Sequence, residues 1–256
     1  VVGRPCPGTL AVHGAEVRVA PPSIPRPDLL ALVRGATAVI TMVDQRVDDE
    51  FLNAAGPDLR GVCNYAVGTD NIQLDRCAAR GIAVTNTPDA VTEGTANLAM
   101  GLLLAAARHI ATGDRFVRAG RFEREGTGFP NAWLGAHLTG QTLLIVGAGR
   151  IGRAVALRAQ AFGMRTLYTA RSQHLDFELA PLAARRVELD EGLKIADVVS
   201  IHTPLTPETR GLFDARRIAL MKPTAILINT ARGPIVHEGT LAAALANGHL
   251  FAAGLD

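Results

Sequence analysis

The sequence predicts an α/β protein built from two doubly wound parallel-sheet domains, and three observations carry that expectation. Short apolar runs alternate with segments of helical periodicity, the pattern of parallel strands joined by crossover helices. One run, Leu143-Leu144-Ile145-Val146, passes directly into Gly147-Ala148-Gly149-Arg150-Ile151-Gly152 and then a stretch with Ile151, Val155, Leu157 and Ala161 at roughly helical spacing. Asn86-Thr87-Pro88 interrupts the alternation, so a domain change is expected there, dividing the chain into residues 1–91 and 92–256.

In the first part, Val17-Arg18-Val19 is an expected strand, Pro21 to Pro27 a loop and Leu29 to Val33 a helix. Ala38-Val39-Ile40, Arg60-Gly61-Val62-Cys63 and Gly81-Ile82-Ala83-Val84 follow as strands. Thr92 is the expected N-cap of an alanine-rich helix from about Glu93 to Arg108. A helix this apolar is expected to be buried on most faces, as a hinge core or a subunit interface. Arg118 to Gly135 is polar and glycine-rich, contains the only tryptophan, Trp133, and reads as a connection. Beyond Leu143 the expected strands are Thr166-Leu167-Tyr168, Val198-Val199-Ser200-Ile201, Ala225-Ile226-Leu227-Ile228 and Phe251-Ala252-Ala253-Gly254-Leu255. Helices at Ala215 to Met221 and Gly239 to Ala246 lie between the later ones, stopped by Pro223 and by Asn247-Gly248.

Composition excludes several classes. A net charge of +2 is too small to argue for nucleic acid or an acidic membrane surface. Cys6, Cys63 and Cys77 show neither C-x-x-C nor metal spacing and read as free thiols. The longest apolar run, around Leu98 to Ala107, is shorter than the roughly 20 residues that span a bilayer. With no signal peptide at the start, the cytoplasm is the default expectation, although the first residue is Val rather than Met.

The chemistry is expected at the carboxyl ends of the strands, where ligands sit in such sheets. Strand, G-x-G-x-x-G turn and helix together read as a Rossmann dinucleotide site, against the alternative of a purely structural turn. Gly147 lets the chain turn, Gly149 lets the backbone approach a pyrophosphate, and Gly152 lets helix and strand pack closely. A site for NAD usually places an acidic residue about 20 positions further on, at the end of the second strand. Here that place reads Ala170-Arg171-Ser172. Arg171 can fork onto a 2′-phosphate and Ser172 adds a donor, so NADP(H) is favoured, with NAD as the alternative if Arg171 merely stacks on adenine. After the next strand, His202 reads as structural and Pro204 as lining the cofactor cleft. In Asn229-Thr230-Ala231-Arg232-Gly233, a cation at a strand end needs an anionic partner, a substrate carboxylate or a structural acid. In the first domain, Gly68 within Asn64 to Asn71 would permit an anion-binding nest, or simply a turn.

These motifs stand in an order that resembles the D-isomer-specific 2-hydroxyacid dehydrogenases, closest to the glyoxylate/hydroxypyruvate reductase branch. Val67-Gly68 with Asp70-Asn71, Asn86-Thr87-Pro88 with Thr92-Glu93-Gly94-Thr95-Ala96, the glycine loop, His202-Thr203-Pro204-Leu205-Thr206, Asn229 to Gly233 and Gly254-Leu255-Asp256 carry the likeness. The resemblance implies a homodimer, a flavodoxin-like substrate domain, a Rossmann cofactor domain and an active site in the cleft between them. It implies that Val67 and Gly68 offer N–H groups to the substrate carboxylate and that Arg232 holds the carboxylate and carbonyl of a small 2-oxo acid. Thr95, Arg150 and Ile151 would lie at the cofactor phosphates and Asp256 at the nicotinamide carboxamide. Thr209 and Thr230 are counted with the cofactor-binding residues. Metal is not expected. The family continues past Gly-Leu-Asp with a glutamate and then a histidine, the general acid. Both positions fall beyond residue 256, as does the C-terminal segment that returns to the first domain. General acid catalysis is worth roughly 10²–10⁴ in rate. Residues 1–256 are therefore expected to bind cofactor but reduce substrate slowly.

The alternatives are a broader 2-ketogluconate or 2-keto acid reductase, an NAD-linked D-2-hydroxyacid dehydrogenase, or a non-catalytic dinucleotide sensor on the same fold. Another two-domain Rossmann enzyme with tightly held NAD is a further one. Arg232 in its Thr-Ala-Arg-Gly setting argues against the last two, and the missing acid after the second strand against NAD.

Overall fold

The protein is described from a computed structural model, over residues 14–125 and 133–256. Two compact units emerge, Val1–Val91 and Thr92–Asp256.

In the first unit, helix α1 (Arg26–Leu32), strand β1 (Ala38–Thr41), α2 (Asp49–Ala55), β2 (Gly61–Asn64), α3 (Leu74–Ala79) and β3 (Ala83–Thr85) alternate. The three strands pair in parallel, in the order β1-β2-β3. Leu29, Val39, Phe51, Leu52, Val62, Cys77 and Ile82 form the core. Among the described residues the strands run in sequence order, without the reversal that double winding requires. The expected strand at Val17-Arg18-Val19 does not form. Instead the Arg18 guanidinium donates to the carbonyls of Leu32 (2.9 Å) and Arg34 (3.0 Å). It thereby takes up acceptors that a helix end leaves unpaired.

The second unit opens with α4 (Thr92–Ala107), α5 (Ile110–Arg118) and α6 (Arg121–Glu125). Strand β4 (Thr142–Val146) leads into α7 (Arg150–Ala161), followed by β5 (Arg165–Thr169), α8 (Leu175–Glu178), β6 (Arg185–Arg186) and α9 (Leu189–Ile195). Strand β7 (Val198–Ile201), α10 (Ala215–Leu220), β8 (Ile226–Asn229), α11 (Glu238–Ala246) and β9 (Ala252–Leu255) complete it. All six strands are parallel, in the order β6-β5-β4-β7-β8-β9. Counted within the unit this is 3-2-1-4-5-6, the order of a doubly wound nucleotide-binding sheet, which reverses between β4 and β7.

The continuous apolar run in β4 follows from that position. Leu143 and Ile145 pack into one hydrophobic cluster with α4 and α7, while Leu144 and Val146 pack into another with α9, α10 and α11. Side chains alternate across a strand, so a strand covered on both faces needs apolar residues at every position. Gly254 lets α4 close over β9: a Cβ there would stand 2.8 Å from both Leu102 Cβ and Ile228 Cδ1.

Three expectations are corrected here. Thr92 is the first residue of α4 rather than its cap, and its hydroxyl is buried without a partner. Helix α4 buries one stripe, Ala96, Ala99, Met100, Leu103 and Ala107, and leaves Leu98 exposed. The polar segment from Arg118 is partly helical, and Trp133 packs edge-on against Phe116 of α5. Polarity there reflects helices with little to bury, held by exposed pairs such as Arg118–Asp114 and Arg121–Glu125. Cys63 is exposed and Cys77 buried, both free thiols, while Cys6 lies outside the described residues. Among the described residues no helix is long and apolar enough to cross a membrane.

Leu144→Ala tests the two-sided core: it removes a fully buried side chain from the central strand. Urea unfolding should show a loss of about 2–5 kcal/mol.

Candidate functional site

Because the six strands are parallel, the segments after β4, β5, β7, β8 and β9 share one edge of the sheet. That edge gathers Gly147 to Gly152, Arg171 and Ser172, His202 to Thr209, Thr230 and Arg232, and Asp256.

The glycine turn is set by contact. Gly147 has φ +104°, and a Cβ there would lie 2.8 Å from the carbonyl carbon and oxygen of His202 and the nitrogen of Thr203. Gly152 presses against the Gly147 carbonyl, and its Cβ would come within 2.8 Å of Ile145 Cγ2. At Gly149, by contrast, a Cβ would meet nothing within 4 Å. Two glycines are thus required by the protein's own packing, while the third borders open space at the start of α7. No side chain caps that helix, whose first internal bond runs from the Arg153 N–H to the Gly149 carbonyl at 2.9 Å. An uncapped helix start facing open space is an anion site. These residues fit a dinucleotide pyrophosphate.

At the end of β5 the Arg171 guanidinium lies close enough to Glu208, in the loop after β7, to act on its carboxyl. The Thr206 hydroxyl, the Glu208 N–H and, more weakly, Arg171 hold that carboxyl below its usual range. Arg171 and Glu208 thus follow strands on either side of β4.

The loop after β7 is held by one threonine. Thr209 Oγ1 donates to the Pro204 carbonyl at 2.6 Å and accepts the Thr206 N–H at 2.8 Å. Its single proton is committed, so Thr209 braces the loop that carries Pro204. His202 Nε2 shares a 2.8 Å hydrogen bond with the Ser200 hydroxyl, and burial pushes its pKa down to about 4. It is neutral at pH 7, in keeping with a structural role.

At the end of β8, Asn229 does what sequence reasoning missed. Its side chain accepts the Ala231 N–H at 3.0 Å and donates to the Arg232 carbonyl at 2.9 Å. The Asn229 carbonyl accepts the Asp256 N–H at 3.1 Å. One buried amide therefore shapes the turn that carries Arg232, an Asx-type arrangement whose sequence signal was the asparagine itself. Arg232 Nη1 donates to the Ala231 carbonyl at 2.8 Å. Thr230 Oγ1 is buried without a partner, an orphan polar atom on the same edge. Thr95 lies half-buried in the first turn of α4, which is tied to α7 by Arg158 bonds to Glu93 (2.6 Å) and Asn97 (2.8 Å).

In the first unit, Val67 and Gly68 follow β2. Gly68 has no positive φ, so the turn there is not of the αR-αL kind. The carbonyls of Ala66, Val67 and Gly68 are instead pinned by the Thr87 N–H (2.9 Å), Asn86 Nδ2 (2.8 Å) and Asn64 Nδ2 (2.7 Å). In a trans peptide the N–H points opposite to its carbonyl. The Val67 and Gly68 N–H groups are therefore turned away from those partners, and they meet no acceptor among the described residues.

With this geometry established, comparison with known proteins is decisive. A family profile described as "D-isomer specific 2-hydroxyacid dehydrogenase, NAD binding domain" matches residues 100–256. The chain belongs to the D-isomer specific 2-hydroxyacid dehydrogenases. It is 48% identical over 234 residues to a glyoxylate reductase of Pyrococcus furiosus, covering 91% of this chain and 69% of that protein. A crystal structure of a Thermus thermophilus protein superposes with a TM-score of 0.87 at 44% identity, over 100% of this chain and 80% of that one. An NADPH-dependent glyoxylate/hydroxypyruvate reductase of Sinorhizobium meliloti, solved with NADP and malonate, gives 0.76 at 35% identity, over 85% and 65%. The second unit is thus the nicotinamide dinucleotide-binding domain of a dehydrogenase.

Two measurements check the site's physics. Gly152→Ala should lose about 1–3 kcal/mol of stability through overpacking. Gly149→Ala should leave the melting temperature nearly unchanged yet weaken dinucleotide binding in a fluorescence titration. For His202, the unfolded chain takes up a proton below its usual value of 6.5 that the folded chain refuses until about pH 4. Stability therefore falls as pH falls through that window, by about 2 kcal/mol between pH 7 and pH 5. Urea unfolding at both pH values should show that much less pH dependence for His202→Gln, and an unchanged slope would disprove the neutral imidazole.

Proposed function

We propose that this protein reduces small 2-oxo acids, glyoxylate and hydroxypyruvate foremost, with NADPH. The observation that carries the cofactor choice is the end of β5, where Arg171 and Ser172 stand in place of an acidic ribose ligand. A guanidinium there favours a 2′-phosphate by charge-assisted hydrogen bonding. The named activities of the Pyrococcus and Sinorhizobium relatives support the substrate class.

Gly147, Gly149, Arg150, Ile151 and Gly152 would hold the pyrophosphate, with Thr95, Pro204, Thr230 and Asp256 around the rest of the dinucleotide. When bound, the cofactor supplies a hydride to the carbonyl carbon of the 2-oxo acid. Arg232 holds the substrate carboxylate and carbonyl oxygen, drawing electron density from the carbon that is attacked. The Val67 and Gly68 N–H groups, turned away from the partners that pin the Ala66 and Val67 carbonyls, would serve as donors to a carboxylate. The proton that turns the resulting alkoxide into the hydroxyl of the 2-hydroxy acid would come from the family's general-acid histidine, whose position falls beyond residue 256. His202, held neutral by desolvation, lacks the imidazolium proton of a general acid at pH 7 and is not read as its source. The first unit is read as the substrate-binding domain and the assembly as a cytoplasmic homodimer; Leu98, left exposed on α4, supports a subunit contact.

Cofactor titrations and a substrate panel test this reading. NADPH should bind at least about tenfold more tightly than NADH, a difference of one charge-assisted contact. Arg171→Gln should abolish that preference. Among glyoxylate, hydroxypyruvate, pyruvate and 2-ketogluconate, the first two should give the highest kcat/KM, and Arg232→Gln should lower every one by about 10²-fold or more. A wild-type preference for NADH would defeat the Arg171 argument.

A further inference from the structure

Strand β6 is only two residues long, and both are arginines. Its register sets Arg186 beside Tyr168 of β5. From there the Arg186 guanidinium reaches past the end of β5. Nε and Nη2 donate to the Ala170 carbonyl at 3.2 and 2.8 Å, and Nη2 donates to the Arg171 carbonyl at 3.1 Å. Two successive carbonyls are thus drawn to one cation. Since each trans peptide sets its N–H opposite to its C=O, the Arg171 and Ser172 N–H groups turn together to the far side. Neither meets an acceptor among the described residues.

The other end of this short loop is held as well. The His174 N–H donates to the Tyr168 hydroxyl at 3.0 Å, and that hydroxyl donates to Glu178 at 2.7 Å. Gln173 also donates to Glu178. The Gln173 amide, the Tyr168 hydroxyl and, more weakly, Arg186 keep the Glu178 carboxyl below its usual range, so this anion stays charged behind the loop. Tyr168 is itself fully buried, which makes the frame rigid. Only Arg171 to Gln173 lie between the two anchors.

We propose that Arg186 is a positioning residue for coenzyme choice: by gripping the Ala170 and Arg171 carbonyls it presents the N–H groups and side chains of Arg171 and Ser172 as one receptor for the 2′-phosphate of the adenosine ribose. The inference rests on the NADPH reading above and adds a residue outside the motifs that support it. The grip depends on the planar fork of arginine, whose Nε–H and Nη–H groups span two acceptors; a lysine ammonium at this place keeps the charge but is a single point on a flexible stem.

The experiment measures NADPH and NADH dissociation constants for the full chain at fixed ionic strength, by nicotinamide fluorescence, with melting temperatures as a folding control. Wild type is compared with Arg186→Lys, Arg186→Gln and Arg171→Gln. Both Arg186 variants should weaken NADPH by about tenfold or more, the range of a lost charge-assisted contact, while NADH changes by less than about twofold. Equal weakening of both coenzymes overturns the inference, leaving Arg186 a structural brace. Full retention of NADPH preference by Arg186→Lys overturns it too, since charge alone would then suffice. A wild-type preference for NADPH that Arg171→Gln abolishes but both Arg186 variants keep defeats this inference alone. A wild-type preference for NADH defeats the coenzyme reading and this inference with it.

Discussion

The second unit depends on a backbone-to-backbone contact: Gly147 against His202 and Thr203, where the strand order reverses. A side chain at Gly147 would push β4 and β7 apart at their ends, since a Cβ would stand 2.8 Å from peptide atoms that cannot swing aside. Gly152 applies the same constraint one turn later, holding the start of α7 against Ile145. Those two contacts aim an uncapped helix start at the crevice. The requirement for glycine there is therefore first a packing requirement, and the anion site is its consequence.

A second device recurs in both units. Loop carbonyls are pinned by side chains, so the attached N–H groups are turned outward as donors. Asn86 does this for the Gly68 N–H by holding the Val67 carbonyl, Asn64 for the Thr69 N–H by holding the Gly68 carbonyl, and Arg186 for the Arg171 and Ser172 N–H groups by holding the Ala170 and Arg171 carbonyls. Asn229 uses the same chemistry to shape the turn that carries Arg232. Such pinning fixes peptide orientation before a ligand arrives, and preorganised donors bind anions without reorganising at the moment of contact.

Much of this was legible in the sequence, for reasons that also explain what was not. Strands covered on both faces leave continuous apolar runs, so Leu143 to Val146, Val198 to Ile201 and Ile226 to Ile228 announced themselves. An edge strand that buries nothing leaves no such mark, and Arg185-Arg186 passed unseen. The alternation at Val17-Arg18-Val19 misled because Arg18 points to a helix end rather than to solvent beside a paired strand. Thr92 looked like a cap because threonine at a helix start usually is one; here the helix simply begins a residue earlier. Thr209 stood in a recognisable motif, but a motif does not reveal where a hydroxyl proton goes.

The electrostatics of coenzyme choice follow from where the charges are anchored. Arg171 lies at the end of β5 and Glu208 beyond β7, so the pair flanks the glycine turn rather than closing on one surface. Glu208 is fully exposed and already held by the Thr206 hydroxyl and its own N–H, so it competes only weakly for the arginine. A phosphate ester carries more charge than a carboxylate and presents several acceptor oxygens to the same guanidinium. It also finds the Arg171 and Ser172 N–H groups already turned outward. Glu208 therefore leaves the Arg171 charge largely uncompensated, and the proposed preference for NADPH would rest on how rigidly the loop between Ala170 and His174 is held.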